Sequence, residues 1–145
     1  MKHFPLMAIA LVLTACAAEP TPDQRFAQEV ESDVRRSLKD PDSANFEKIE
    51  AFAKEKIACG KVNAKNSFGG YTGMEDFSYY DGRPHIQSED IKAYVVGSGQ
   101  CLIASARRSI EEAKNSDHSP EDKKKLIGMY EKNIADIERD PTFGL

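Results

Sequence analysis

The chain has no tryptophan, and in its 145 residues histidine and cysteine number only three each. None of them falls at the CxxC or HxxxH spacings that close a metal site, so neither a metal nor another cofactor is expected. Neither GxGxxG nor the GxxxxGK[ST] phosphate loop is present, which removes the usual signatures of nucleotide binding. There is no GxSxG elbow to expose a nucleophilic serine. Lysine and arginine are outnumbered, 20 against 24 acids, and form no stripe, so nucleic acid is a poor partner. Repeats and low-complexity runs are missing as well.

Long apolar runs are also missing. The N-terminal "MKHFPLMAIALVLTACAAEP" holds ten largely apolar residues, Phe4 to Leu13, about half of what a spanning helix needs. A single lysine before this run and small residues after it read as a secretory signal. Its end, Leu13-Thr14-Ala15-Cys16, resembles the lipobox of bacterial lipoproteins. That resemblance implies cleavage before Cys16 and lipidation of its sulfur, with the membrane as a partner through that lipid. Cleavage at an ordinary A-x-A site, leaving Cys16 a spectator, is the alternative. An uncharged residue after the cysteine, here Ala17, resembles lipoproteins sorted to the outer membrane and facing the periplasm, with the inner membrane as the alternative. The expected organisation is a signal peptide over 1–15, a lipidated cysteine and Pro-stiffened tether over 16–22, and one domain over 23–145.

With Cys16 acylated, Cys59 and Cys101 remain. One disulfide between them fits an oxidising compartment; two buried free thiols are the alternative. Without residues 1–15, which carry one lysine and no acid, nineteen bases face twenty-four acids, a balance of −5.

Hydrophobic spacing predicts an α+β fold: an N-terminal helix, a small mainly antiparallel sheet and two C-terminal helices. Phe26, Val30, Val34 and Leu38 recur every fourth residue from Pro22 onward, one helical stripe that Thr21 or Asp23 can cap. Asp40-Pro41 stops it. Phe46 to Phe52, Ile57 to Ala64 and Met74 to Tyr80 read as strands, the first with imperfect alternation. "DGRP" at Asp81 to Pro84 marks a turn. "IKAYVV" at Ile91 to Val96 fits a strand better than a short helix capped by Ser88, and "GSG" then breaks the chain. Cys101 to Lys114 reads as a helix with Leu102, Ala106, Ser109, Ile110 and Ala113 on one face. Ser119-Pro120-Glu121-Asp122 starts another, whose stripe is Leu126, Ile127, Tyr130, Ile134 and Ile137.

The densest feature is "CGKVNAKNSFGGYTG", Cys59 to Gly73, with four glycines. One reading is a strand-joining turn in which glycine supplies positive φ and Asn63 and Asn66 bond nearby backbone. The other is a recognition patch: Phe68, Tyr71, Phe77, Tyr79 and Tyr80 are five of the chain's twelve aromatics. Alternation sends Phe77 and Tyr79 to one face and Tyr80 to the other. Binding residues are expected at Asn63, Asn66, Phe68, Tyr71 and Tyr80.

"LKDPDSANF" at Leu38 to Phe46, followed by this loop, resembles a family of small exported and prophage-associated bacterial proteins patterned DPxSAxF, CGxVNxKNSFGGYxG and an aromatic strand. The resemblance covers about residues 30 to 80 and implies that Cys59 is a disulfide partner. It brings no activity with it.

A catalytic site is not expected. His118 lies in a polar loop, and His85 in "DGRPHIQSED" reads as a surface turn histidine beside Ser88. The acid pairs Glu75/Asp76 and Glu111/Glu112 and the run Lys123 to Lys125 read as solvated charge. The functional expectation is a binding module of the periplasm without catalysis, whose partner is an envelope protein or the cell wall. The competing expectation is an inhibitor or exclusion factor directed at a wall-degrading enzyme.

Overall fold

The computed structural model describes residues 18–142; the expectations for the signal peptide and Cys16 fall outside them. The first helix, α1 (Pro22–Ser37), begins in a reciprocal cap. The Thr21 hydroxyl accepts from the Gln24 amide at 3.2 Å, and the Gln24 side chain accepts from the Thr21 amide at 2.8 Å. Phe26, Val30 and Val34 form its buried stripe, as the four-residue rhythm requires.

Strands β1 (Asn45–Phe52), β2 (Ile57–Asn63), β3 (Glu75–Tyr80) and β4 (Arg83–Ile86) follow. They pair antiparallel in sequence order, a four-stranded meander. Helices α2 (Ile91–Asn115) and α3 (Pro120–Arg139) complete the α+β fold. None of the described helices is long and apolar enough to cross a membrane.

The pleat sorts the core into two faces. Ala51, Ala58, Val62, Phe77, Tyr79 and Ile86 meet the α1 stripe. Phe26 sits edge-on to Tyr79, ring centroids 5.9 Å apart, and Phe46 edge-on to Phe77 at 6.1 Å. On the other face Phe52 packs with Cys101 and Ala104 of α2, and Ile57 and Cys59 join them. A Cys59–Cys101 disulfide staples β2 to α2, with Cα atoms 6.3 Å apart. α3 folds back along α2.

Two polar clamps orient the layers. At the end holding the β1–β2 turn, Asp23 accepts from the Ala53 amide at 2.8 Å and from Arg108 of α2 at 2.8 Å. Arg108 also donates to the Ala51 carbonyl and lies 4.4 Å over the Phe52 ring. At the opposite end Arg35 donates to the Ala44 carbonyl at 3.0 Å. α1 therefore runs the length of the sheet, from the β1–β2 turn to the end where β2 passes into β3.

Three expectations need correction. Ile91 to Val96 is not a strand but the opening of α2, capped by Asp90 rather than Ser88: the Asp90 carboxylate accepts from the Ala93 amide at 3.0 Å. "GSG" does not break the chain; Gly97 and Gly99 are buried inside that helix. A β-carbon on Gly97 would stand 2.5 Å from the Tyr80 ring, so the glycine is there for close packing. Leu102, expected on the buried face, is half exposed.

The imperfect alternation of β1 has a local cause. Pairing jumps from Glu47↔Lys61 to Glu50↔Cys59, which sets two β1 residues against Gly60. This is a β-bulge, with Lys48 left-handed at φ 54°. It returns Ile49 and Ala51 to the α1 face. The "DG" turn is a two-residue hairpin loop between Tyr80 and Arg83, with φ 54° at Asp81 and 74° at Gly82.

Candidate functional site: the hairpin between β2 and β3

Residues 64–74 continue the β2–β3 hairpin beyond the sheet. The Asn66 side-chain oxygen accepts from the Phe68 amide at 2.9 Å and the Gly70 amide at 3.2 Å. Backbone bonds Asn66 N–H to Gly70 O and Gly69 N–H to Asn66 O, both 2.9 Å, close the same turn. Below it, Lys65 bridges Tyr71, and the Asn63 side-chain oxygen accepts from the Gly73 amide at 3.1 Å. The base is tied to the segment after α1: the Lys65 amide donates to the Ser43 hydroxyl at 2.9 Å. Gly69 at φ 81° and Gly73 at φ 96° need glycine's freedom, and their surroundings are open.

The two asparagines are thus architectural through their oxygens, as the turn reading has it. The aromatics are not. Phe68 at the tip is 97% exposed and Tyr71 53%, with Met74 beside them at 40%. Lys65 lies over the Tyr71 ring, 5.6 Å from its centroid. From sequence Met74 reads only as the opening of the strand to Tyr80; its place directly after Gly73, at the foot of the hairpin, is the signal for its exposure. Beside the hairpin a cavity of about 200 Å³ has an apolar floor of Leu38, Val62, Ala64 and Ile86, with Ser88 and Glu89 in its wall.

Asn63, Asn66, Phe68 and Tyr71 therefore share one hairpin, and Tyr80 does not belong with them. It lies at the far end of β3, five residues from Glu75 and so roughly 17 Å from the hairpin base. It is half-buried and stacks on His85, ring centroids 4.5 Å apart.

His85 is not a surface turn residue. It lies in β4, paired with Ser78, and is 7% exposed. Its Nε2 has no hydrogen-bond partner, the one buried side-chain polar atom among the described residues in that state. Burial, and then the charge of Arg83, hold its pKa below the ordinary 6.5, which favours the neutral ring. Ser88 gives its hydroxyl to Glu75, so no serine–histidine pair forms here. Glu75 and Asp76 diverge: Asp76 takes the Lys61 ammonium at 2.7 Å, and that hydrogen bond lifts the lysine's pKa.

Burial drives the Tyr79 hydroxyl up to about 12, helped by its 2.8 Å bond to Asp33. That pair ties β3 to α1. Among the described residues no group of three His, Cys, Asp or Glu side chains could hold a metal.

No protein-family model, curated protein or solved structure matches this chain.

Proposed function

We propose that this chain is an exported, lipid-anchored interaction module that works by binding, not catalysis, and engages its partner with the Phe68 hairpin. The observation that carries this reading is Phe68 itself, an aromatic ring 97% exposed on a turn closed by Asn66. Covering such a ring is worth about 2–3 kcal/mol. A turn already fixed by hydrogen bonds loses little entropy when it docks. Tyr71 and Met74 widen the apolar contact, and the amide-rich tip supplies hydrogen-bond donors around it.

The placement of the hairpin supports a partner beyond the anchoring membrane. Thr21, where the Cys16 tether would join, caps α1 at the opposite end of the sheet from the hairpin. Five residue steps from Cys16 reach at most about 18 Å, whereas the sheet and hairpin together extend roughly 30 Å. An upright domain would hold Phe68 out toward the periplasm, where an envelope protein or the cell wall can meet it.

A photoreactive residue at position 68, in full-length protein made in its own cell envelope, tests this. Cross-links to one discrete species from position 68, absent from Lys56 at the other end and lost on adding Tyr71→Ala, are the expected result. Equal labelling from both ends, or labelling of lipid alone, would remove the hairpin from the reading.

The inhibitor reading draws on the same projection, since a rigid apolar finger on an acidic domain suits the cleft of a basic enzyme. Micromolar protein should then inhibit a lysozyme-type activity, and Phe68→Ala should not. No inhibition leaves the binding-module reading alone.

A further inference from the structure

We propose that His85 is an acid-sensitive latch: protonating its buried ring releases residues 91–100 of α2 from the sheet, while the Cys59–Cys101 bridge retains the rest of that helix. This does not depend on what the hairpin binds.

The geometry divides α2 into two unequally held parts. From Cys101 onward it is fixed by the disulfide, by Ala104 against Phe52, and by Arg108 on Asp23 and the Ala51 carbonyl. Before Cys101 it rests on β3. The Ser78 hydroxyl donates to the Tyr94 carbonyl at 3.2 Å, and Gly97 is pressed against Ser78 and Tyr80. His85 backs this second seat, stacked on Tyr80 and paired with Ser78.

A second ring proton puts a charge where Nε2 has no acceptor. A buried ion with one of its two N–H groups unsatisfied is costly enough that the structure opens or the group stays neutral. Opening means admitting water under the less firmly held part of α2. Asp90 at the start of α2 and Asp81 in the β3–β4 turn favour the charged ring, whereas Arg83 on β4 opposes it. On β3 the neighbours are the Tyr80 ring, the Tyr80 backbone, whose hydrogen bond to the imidazole also favours the charged ring, and the neutral Ser78. The Tyr94 hydroxyl of α2 feels Asp76 and Lys61 instead.

Burial, with Arg83, outweighs the two acids and the Tyr80 backbone bond, so His85 is harder to protonate folded than unfolded. Its contribution to stability is therefore complete above about pH 6.5 and is lost as the pH falls toward the depressed folded value. The movement has a route to the hairpin end. Ile86, Ser88 and Glu89, between His85 and α2, line the cavity beside the hairpin.

Hydrogen exchange on the full-length chain in detergent micelles, at about pH 7.5 and about pH 5.5, tests the latch. Protection factors over 92–99 should fall by up to about tenfold on acidification, with 104–115 unchanged. His85→Phe, which keeps the stack and removes the titrating nitrogen, should hold 92–99 constant. Unchanged protection in wild type, or an equal loss in His85→Phe, overturns the proposal. Should that variant fail to fold, the wild-type imidazole resonance decides. Titration below the ordinary histidine value, in step with shifts in 91–100, supports the latch; titration at the ordinary value, or without those shifts, overturns it.

Discussion

Gly97 of α2 and Ser78 of β3 lie so close that a β-carbon on the glycine would stand 2.7 Å from the serine's own. Helix propensity alone favours Gly97→Ala by about 1 kcal/mol, but overpacking in a filled interior costs about 1–3 kcal/mol. Gly97→Ala should therefore destabilise the domain. Gly128 on α3 has nothing within 4 Å, so Gly128→Ala should stabilise it by about 0.5–1 kcal/mol. Opposite shifts of the urea midpoint for the two variants are the expected outcome, and a rise for both would mean α2 sits farther from the sheet.

Lys48 holds the β1 bulge in the left-handed region at φ 54°. A side chain there costs about 1 kcal/mol relative to glycine. Lys48→Gly should raise stability by up to that amount, with the strand register intact. Lys48→Val, branched at Cβ and harder to hold left-handed, should lower it. Thermal melts of the two variants check the sign.

Removing the Cys59–Cys101 bridge, which closes a separation of 42 residues, should cost about 4 kcal/mol on the chain-entropy account. Against a typical total of about 5–15 kcal/mol, the Cys59→Ala/Cys101→Ala variant should unfold far earlier in urea. Reduction of the wild type should produce the same drop.

Tyr79, with its hydroxyl pushed up to about 12, makes an alkaline prediction. The unfolded chain loses the tyrosine proton near pH 10 while the folded one keeps it. Stability from this group is present below about pH 10 and is lost as the pH rises toward 12, by about 2 kcal/mol. Tyr79→Phe should flatten that fall and, by deleting the bond to Asp33, cost about 1–2 kcal/mol at neutral pH. Stability measured from neutral pH to about pH 11 separates the two effects.

The parts of the fold legible in the sequence are those fixed by neighbours along the chain. The α1 stripe of Phe26, Val30 and Val34, the Ser119 cap of α3 and the Asp81-Gly82 turn all follow local rules. The hairpin's turn chemistry was legible too, because Asn66 bonds amides only two and four residues away. What stayed hidden depends on distant partners. Tyr94, Val95 and Val96 favour strands intrinsically, yet Asp90 caps them into a helix that Gly97 lets settle on β3. His85 and Tyr80 looked exposed because what covers them arrives with α2, beyond any local window. The β1 bulge hid for a different reason, since one extra residue breaks a period-two pattern without altering its composition.

The order of strands has a consequence for how the molecule assembles. Each strand pairs with its immediate successor, so the sheet can form from short loop closures as the chain grows. The partners of α2 are remote: Arg108 reaches back 85 residues to Asp23, and Cys101 reaches 42 residues to Cys59. Until those arrive, Phe52, Cys59, Ser78 and His85 face solvent on a half-covered sheet. The bridge spans about twice the chain of any strand pairing, and once closed it keeps the helical cover tied to β2 even when the rest of the packing opens.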